Sequence, residues 1–229
     1  MPFEDNANVI KECNISDAWR SLIWATIRNG DKYIVKTGSF AGEIRKQLDH
    51  CLVIIEKPWT RPLEVFTPEN MSYTPATKES IEEYFCNYIL NEQISENEDY
   101  TYGLKISKQI NRVIDLLFVS RGATNQAVIE IANENSCYLE NPECLRLIDF
   151  KITDDDRLDM HLYLRSWDIM NGFPVNIGGL QLLKEYVAWR LEELGIKVRD
   201  GKIHAYSSGA HIYEHMFEIA NTLCVDKIK

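Results

Sequence analysis

Three short segments of this 229-residue chain carry side chains that could do chemistry together. Pro142-Glu143-Cys144 offers a thiol at the start of a strand, Arg165-Ser166-Trp167-Asp168 lies at the end of another, and His211-Ile212-Tyr213 follows Gly209. A cysteine thiolate is a nucleophile. An arginine beside a serine at a strand end can grip an anion, because the guanidinium fork matches two phosphate oxygens and the hydroxyl donates a third bond. His211 and Tyr213 add groups that bind hydroxyls. Each segment also has a plainer reading. A cysteine at a strand start is commonly a small buried core residue, and Arg165 can simply pair with Asp168 at the surface. His211 and Tyr213 can be a satisfied histidine and a core aromatic. Spacing alone does not choose between the two.

The elements that must position these residues follow from hydrophobic periodicity. Ser16 or Asp17 can cap a helix in which Trp19, Leu22, Ile23 and Ile27 share a face and Asn29-Gly30 marks the stop. Two extended segments, 33–36 and 51–56, flank the loop 37–42, and the prolines at 58, 62, 68 and 75 mark an irregular stretch. Thr77 opens a helix through Ile81, Phe85 and Ile89, and another runs from about Ile106 to Phe118. Strands follow at 127–131, 144–152 and 158–164. In the last of these Met160, Leu162 and Leu164 alternate with Asp159, His161 and Tyr163, so one face is apolar and the other could line a cavity. A long helix carries Leu180, Leu183, Val187, Leu191 and Leu194 at spacings of three and four and ends at Gly195. A strand at 202–206 and a short helix from near His211 close the pattern. Helices early and strands late predict a single α+β domain over residues 1–229, with a mixed sheet packed by the long core helix.

Composition narrows the function classes. With 45% hydrophobic and 26% charged residues and no linker-like stretch, the chain can bury one sizeable core. The six cysteines form no CxxC pair, which argues against a zinc site or a redox dithiol and for reduced thiols. A net charge of −10 argues against a nucleic-acid polymer as partner. No apolar run approaches the roughly 20 residues of a membrane helix. The N-terminus, with Glu4 and Asp5, lacks the basic-then-apolar order of a signal peptide, so a cytoplasmic protein is expected.

Taken in order, Pro142-Glu143-Cys144, Arg165-Ser166-Trp167-Asp168, Gly172-Phe173-Pro174-Val175-Asn176 and His211-Ile212-Tyr213 resemble the Pro-Cys, Arg-Ser-x-Asp, Gly-x-Pro-x-Asn and His-x-Tyr motifs of the thymidylate synthase family. The likeness is good over roughly residues 100–215 and loose before, where Tyr102-Gly103 looks like the family's Tyr-Gly. The resemblance implies a homodimer with sheets packed back to back, a pyrimidine nucleoside monophosphate as substrate and 5,10-methylenetetrahydrofolate as cofactor. It implies that the Cys144 thiol, brought down from about 8.5 by Arg165 or, more weakly, Arg146, adds to C6 of the pyrimidine. C5 then becomes a carbon nucleophile for a one-carbon unit. Asn176 would read the base, since its amide can donate to O4 and accept from N3–H of uracil; the related deoxycytidylate hydroxymethylases carry Asp there. Arg165 and Ser166 would hold phosphate, His211 and Tyr213 the sugar hydroxyl, and Asp168 would orient the base. Tyr102 joins the catalytic set, and Glu83, with Glu82 beside it, stands in for the family's catalytic glutamate.

The chain departs from the family pattern in places. Asn125-Gln126 stand where the family has two adjacent arginines given across the dimer to the phosphate. Arg45, Arg61 and Arg121 are the available substitutes, and Arg45 is the one taken as substrate-binding. Leu145 replaces a common His, and Asp149 replaces the Gln five places beyond the thiol; the shorter archaeal members look closer here. The sequence runs to Cys224-Val225-Asp226-Lys227-Ile228-Lys229 without the apolar tail that closes over folate in longer members. Three functions stay open: a thymidylate synthase acting on dUMP, a hydroxymethylase acting on dUMP, CMP or dCMP with the same folate, and a nucleotide-binding relative without turnover.

Overall fold

The computed structural model describes residues 8–69, 71–94 and 99–224. The chain opens with β1 (Asn8–Glu12), α1 (Ile15–Asn29), β2 (Asp31–Ile34), β3 (Ile44–Leu48) and β4 (Cys51–Ile55). Next, α2 (Lys78–Tyr84) continues as a π-helical turn through Leu90, and α3 (Gly103–Ser120) leads to β5 (Val128–Glu130). β6 (Leu145–Ile152), β7 (Arg157–Leu164) and the two-residue β8 (Trp167–Asp168) precede α4 (Gly172–Glu193), β9 (Arg199–Ser207), β10 (Ala210–Tyr213) and α5 (Phe217–Cys224). The six-stranded mixed sheet has the order β1-β4-β9-β7-β6-β5, and a smaller sheet has the order β2-β3-β10-β8. This is the expected α+β architecture.

α4 is the core helix. Leu180, Leu183, Val187 and Leu191 are buried, and the helix packs on β7, β8 and β9 while touching α1, α2 and α3. It starts eight residues before Leu180, a start hidden in sequence by Gly172, Pro174 and Gly178-Gly179. Pro174 is harmless in the first turn, where backbone N–H groups have no partner within the helix. Gly178 and Gly179 leave room for α2: a Cβ on them would come within 2.9 Å of Ile81 and 2.7 Å of Tyr84. That close approach brings Tyr84 over the first turn of α4.

Several local expectations are corrected. Asn14, not Ser16 or Asp17, caps α1 by accepting from Asp17 N at 2.9 Å, while Ser16 Oγ accepts from Phe66 N. The expected closing helix is present as α5 but starts at Phe217 rather than near His211, which lies in the strand β10, whose four residues are all buried and pair with β3 and β8. Burial on both faces erases the alternation that would have marked it. The polar face of β7, with His161 and Tyr163 only partly buried, lies on the more open side of the larger sheet and does not line the cleft described below. Thr77 caps α2 with Ser80 in a reciprocal capping box, as the sequence suggests.

Gly103 is required by space rather than by backbone angle. A Cβ there would stand 2.0 Å from the Asn91 carbonyl oxygen, where the π-helical turn folds back on the start of α3. We expect Gly103→Ala to lower stability by about 2–3 kcal/mol in urea unfolding, because backbone must move. A loss under about 0.5 kcal/mol would contradict this packing.

Candidate active site

The pairing of β6 with β7 places the thiol. Arg165, just past the end of β7, donates its backbone N–H to the Cys144 carbonyl at 2.9 Å. Its guanidinium then bonds backward: Nε donates to the Glu143 carbonyl at 3.1 Å and Nη2 donates to the Pro142 carbonyl. One residue's backbone and side chain therefore fasten the turn that precedes the thiol. Among the described residues Arg165 forms no ion pair, so its charge faces the cleft uncompensated. Two phenols hold the same turn from the other side. Tyr100 Oη accepts from Cys144 N at 3.3 Å and Tyr102 Oη accepts from Leu145 N at 3.2 Å. Burial, then the Cys144 charge, pushes Tyr100 up to about 12, and burial first also raises Tyr102, so both remain protonated.

The smaller sheet supplies the facing wall. Its register sets Gln47 of β3 opposite His211 and Arg45 opposite Tyr213, with Asp168 of β8 on the other side of His211. Arg45 Nε donates to Tyr33 Oη at 2.7 Å, and Tyr33 Oη donates to Gln47 Oε1 at 2.7 Å. His211 is buried, and its Nδ1 lies 2.9 Å from the Gly209 carbonyl. A carbonyl only accepts, so Nδ1 carries the proton and Nε2 presents a lone pair. Burial, then the Arg45 charge, lowers His211 from 6.5 to about 4, which keeps it neutral at physiological pH.

Between these walls lies a cleft of about 810 Å³, lined by Cys144, Arg165, Ser166, Asp168, His211, Tyr213 and Arg45 among others. Seven of the residues singled out in sequence thus meet in one place. Asn176 and Tyr102 stand behind that lining. Asn176 Oδ1 accepts from Trp167 Nε1 at 3.3 Å and its Nδ2 donates to Tyr84 Oη at 2.9 Å. Asp168 is largely committed to starting α4, accepting from Met170 N, Asn171 N and Asn171 Nδ2. Glu83 and Glu82 are exposed on α2, and neither lines the cleft. A helix turn that packs Ile81 inward and Tyr84 toward Asn176 necessarily points Glu82 and Glu83 outward. The carboxylates that do line it, among the described residues, are Asp99, Glu140 and Asp168. Arg61 lies elsewhere, its Nη2 donating to both carboxylate oxygens of Glu185, and Arg121 is the left-handed cap of α3. Asn125 and Gln126 line a separate depression beside Arg112.

Sequence reasoning missed Lys36, Tyr33, Gln47, Tyr84 and Tyr100. Lys36 and Gln47 sit in segments with no apolar alternation, and the tyrosines look like ordinary core aromatics until they are seen to converge on Cys144 and Asn176. Among the other thiols, Cys51 is buried and pushed up to about 12 by that burial, whereas Cys13, Cys86 and Cys137 are exposed away from the cleft.

The neutral His211 has a measurable consequence. Its pKa is about 4 folded and 6.5 in an open chain, so acidification protonates the unfolded chain first. Stability from this group is unchanged above pH 6.5 and falls between about 6.5 and 4, by about 3 kcal/mol in all. Urea unfolding across this range should show a His211→Gln variant losing correspondingly less than the parent; parallel curves would contradict the assignment.

The thymidylate synthase profile matches residues 80–227. A protein of Methanosarcina mazei named "Putative thymidylate synthase" is 33% identical over 227 residues, covering 94% of each chain, and one of the same name from Methanosarcina acetivorans matches equally. Among solved structures, the thermostable thymidylate synthase A from Bacillus subtilis superposes with a TM-score of 0.68, covering 92% of this chain and 84% of that one at 13% identity, a likeness of fold. Among the described residues no helix is long and apolar enough to cross a membrane. With the profile spanning the thiol, the anion clamp and the His-x-Tyr strand, and relatives a third identical along nearly its whole length, the chain belongs to the thymidylate synthase family.

Proposed function

We propose that the protein methylates C5 of dUMP to give dTMP, using 5,10-methylenetetrahydrofolate and a covalent adduct between Cys144 and C6 of the base. The convergence of Cys144, Arg165 and His211 on one cleft carries this reading. The Cys144 thiolate forms the S–C6 bond, and the C5=C6 electron pair moves through C4 onto O4. C5 becomes the nucleophilic carbon. After C5 has lost its proton, elimination breaks the S–C6 bond and returns the thiolate.

The phosphate belongs at Arg165 and Ser166, joined by Arg45 and by Lys36, a further cation in the lining of the same cleft. Lys36 and Arg45 do within the chain what the family's cross-dimer arginines would otherwise do. His211 Nε2 accepts from a sugar hydroxyl and Tyr213 lies beside it. Tyr102, kept protonated by burial, is a donor close to the thiol rather than an anionic base. Glu83 has no part in this scheme.

The cleft is at the large end of the range for small-molecule sites, about 300–1,000 Å³, and so has room beyond a nucleotide. Leu139 and Phe40, each about half exposed, and the acceptors Asp99 and Glu140 at its outer rim suit a flat ring with N–H groups at its edge. When bound, the folate supplies a one-carbon unit and the hydride that reduces it. We also propose a homodimer that packs the open side of the larger sheet against a second copy; Val9 and Tyr206 are exposed on that sheet. A cytoplasmic location fits this chemistry.

Choice of uracil is supported by the bonds on Asn176. An indole N–H only donates, so Trp167 fixes Oδ1 toward itself and leaves Nδ2 toward Tyr84. The second lone pair on Oδ1 and the second N–H on Nδ2 then match N3–H and O4 of uracil. Cytosine inverts both groups, and turning the amide to suit it would strand the buried Trp167 N–H at a cost of about 1–3 kcal/mol.

The test offers dUMP, UMP, dCMP and CMP tritiated at C5, with 5,10-methylenetetrahydrofolate, and follows tritium release, product identity and dihydrofolate. We expect release from dUMP with a methylated product. A hydroxymethylated product, or release from none of the four, would overturn the proposal. Trp167→Phe should lower the uracil-over-cytosine ratio of kcat/KM by about 5–150-fold; an unchanged ratio would remove Trp167 from base choice.

A further inference from the structure

The open side of the larger sheet carries a second group of polar side chains, which the cleft chemistry does not use. His161 on β7 and His204 on β9 are register partners on parallel strands. Their rings stack with centroids 4.5 Å apart and planes 9° from parallel. Asp159 lies two residues before His161; it is buried, and its Oδ2 is 3.4 Å from His204 Nε2. With one donor atom taken from each residue, the three atoms lie within 4.8 Å of one another.

We propose that Asp159, His161 and His204 form a site for a divalent transition-metal ion of the zinc type, with the remaining position open. Two imidazoles and one carboxylate are donors that such ions accept. Bonds of about 2.0–2.1 Å in a tetrahedral site set neighbouring donor atoms about 3.4 Å apart. Asp159 and His204 already have that separation. In the stack the two ring planes are nearly parallel, so binding an ion requires His161 to rotate about χ2, a broad torsion in histidine, to turn its lone pair toward that point.

The surroundings suit the same purpose. Asp159 Oδ1 accepts from Lys202 N at 2.7 Å, which fixes the carboxylate and directs Oδ2 to the rings. Asp149 on β6 is the register partner of His161. Its Oδ1 is buried without a hydrogen bond, 3.3 Å from Lys151 Nζ. A carboxylate in that place can take the N–H that a metal-bound imidazole must donate. The ligands belong to one chain, so the ion would join β7 to β9 within a protomer. In the dimer proposed above it would lie at the interface.

Cobalt(II) titration of the metal-free protein tests this, because cobalt reports its geometry in visible light and replaces zinc. The expected result is one ion per chain with the bands of a tetrahedral site, no thiolate charge-transfer band, and displacement by Zn²⁺. His204→Ala and His161→Phe, the latter keeping an aromatic ring in the stack, should each weaken binding by about tenfold or more. At a hundredfold excess of Zn²⁺ over Kd the parent's Tm should rise by about 5–10 °C and the variants' should not. C5 tritium release should be unchanged in both variants, because neither residue lines the cleft. A thiolate band, binding that survives both substitutions, or no binding tighter than about 0.1 mM would overturn the proposal.

Discussion

The cleft depends on a positive charge that the backbone itself holds beside Cys144. Arg165 is tied to the turn before the thiol by its own N–H and by two side-chain bonds to carbonyl oxygens. Bonds from a charged donor contribute about 1.5–3 kcal/mol each, so the side chain has little reason to swing away. A thiol and a guanidinium placed by long flexible side chains would drift apart. Here the relation is set by strand pairing, and an incoming anion needs to displace nothing from the arginine.

The rest of the wall follows from the same economy of placement. The short strands β3, β8 and β10 use register to set Arg45, Gln47, Asp168, His211 and Tyr213 in adjacent rows. Burial then decides their ionisation. His211 is neutral with a defined tautomer, and Tyr100 and Tyr102 are protonated, so the fixed charge in the cleft comes from Arg45, Arg165 and Lys36 on one hand and from Asp99, Glu140 and Asp168 on the other. One turn further in, the glycines of α4 admit Tyr84, and Tyr84 together with Trp167 gives Asn176 a single orientation.

Much of this was legible in sequence where a residue's chemistry or period is self-declaring. The order of the motifs brings Cys144, Arg165, Ser166, Asp168, His211 and Tyr213 together in one cleft, and the stripe from Leu180 is the core helix as far as Leu191, whereas Leu194, expected with it, caps the helix and is 41% exposed. What was not legible depends on contacts between distant segments. Ile44-Arg45-Lys46-Gln47-Leu48 has no strand pattern of its own and becomes β3 only through its partners. Glu83 stands on the early helix before Tyr102-Gly103, where the resemblance puts a catalytic glutamate, yet the helix phase set by Ile81 and Tyr84 turns it to solvent. The alternation of Asp159, His161 and Tyr163 was visible, but its meaning changes once His204 arrives from β9, 43 residues after His161.

The central claim, sulfur adding to C6 of a uracil ring, is tested most directly by arresting it. A fluorine at C5 cannot leave as a cation, so 5-fluoro-dUMP should stop the reaction with the base still bound to sulfur. Intact-mass measurement after incubation with 5-fluoro-dUMP and 5,10-methylenetetrahydrofolate should show one nucleotide and one folate added per chain, mapped by peptide analysis to Cys144. The same incubation with Cys144→Ala should show neither. An unmodified parent protein, or an adduct on another cysteine, would contradict the account.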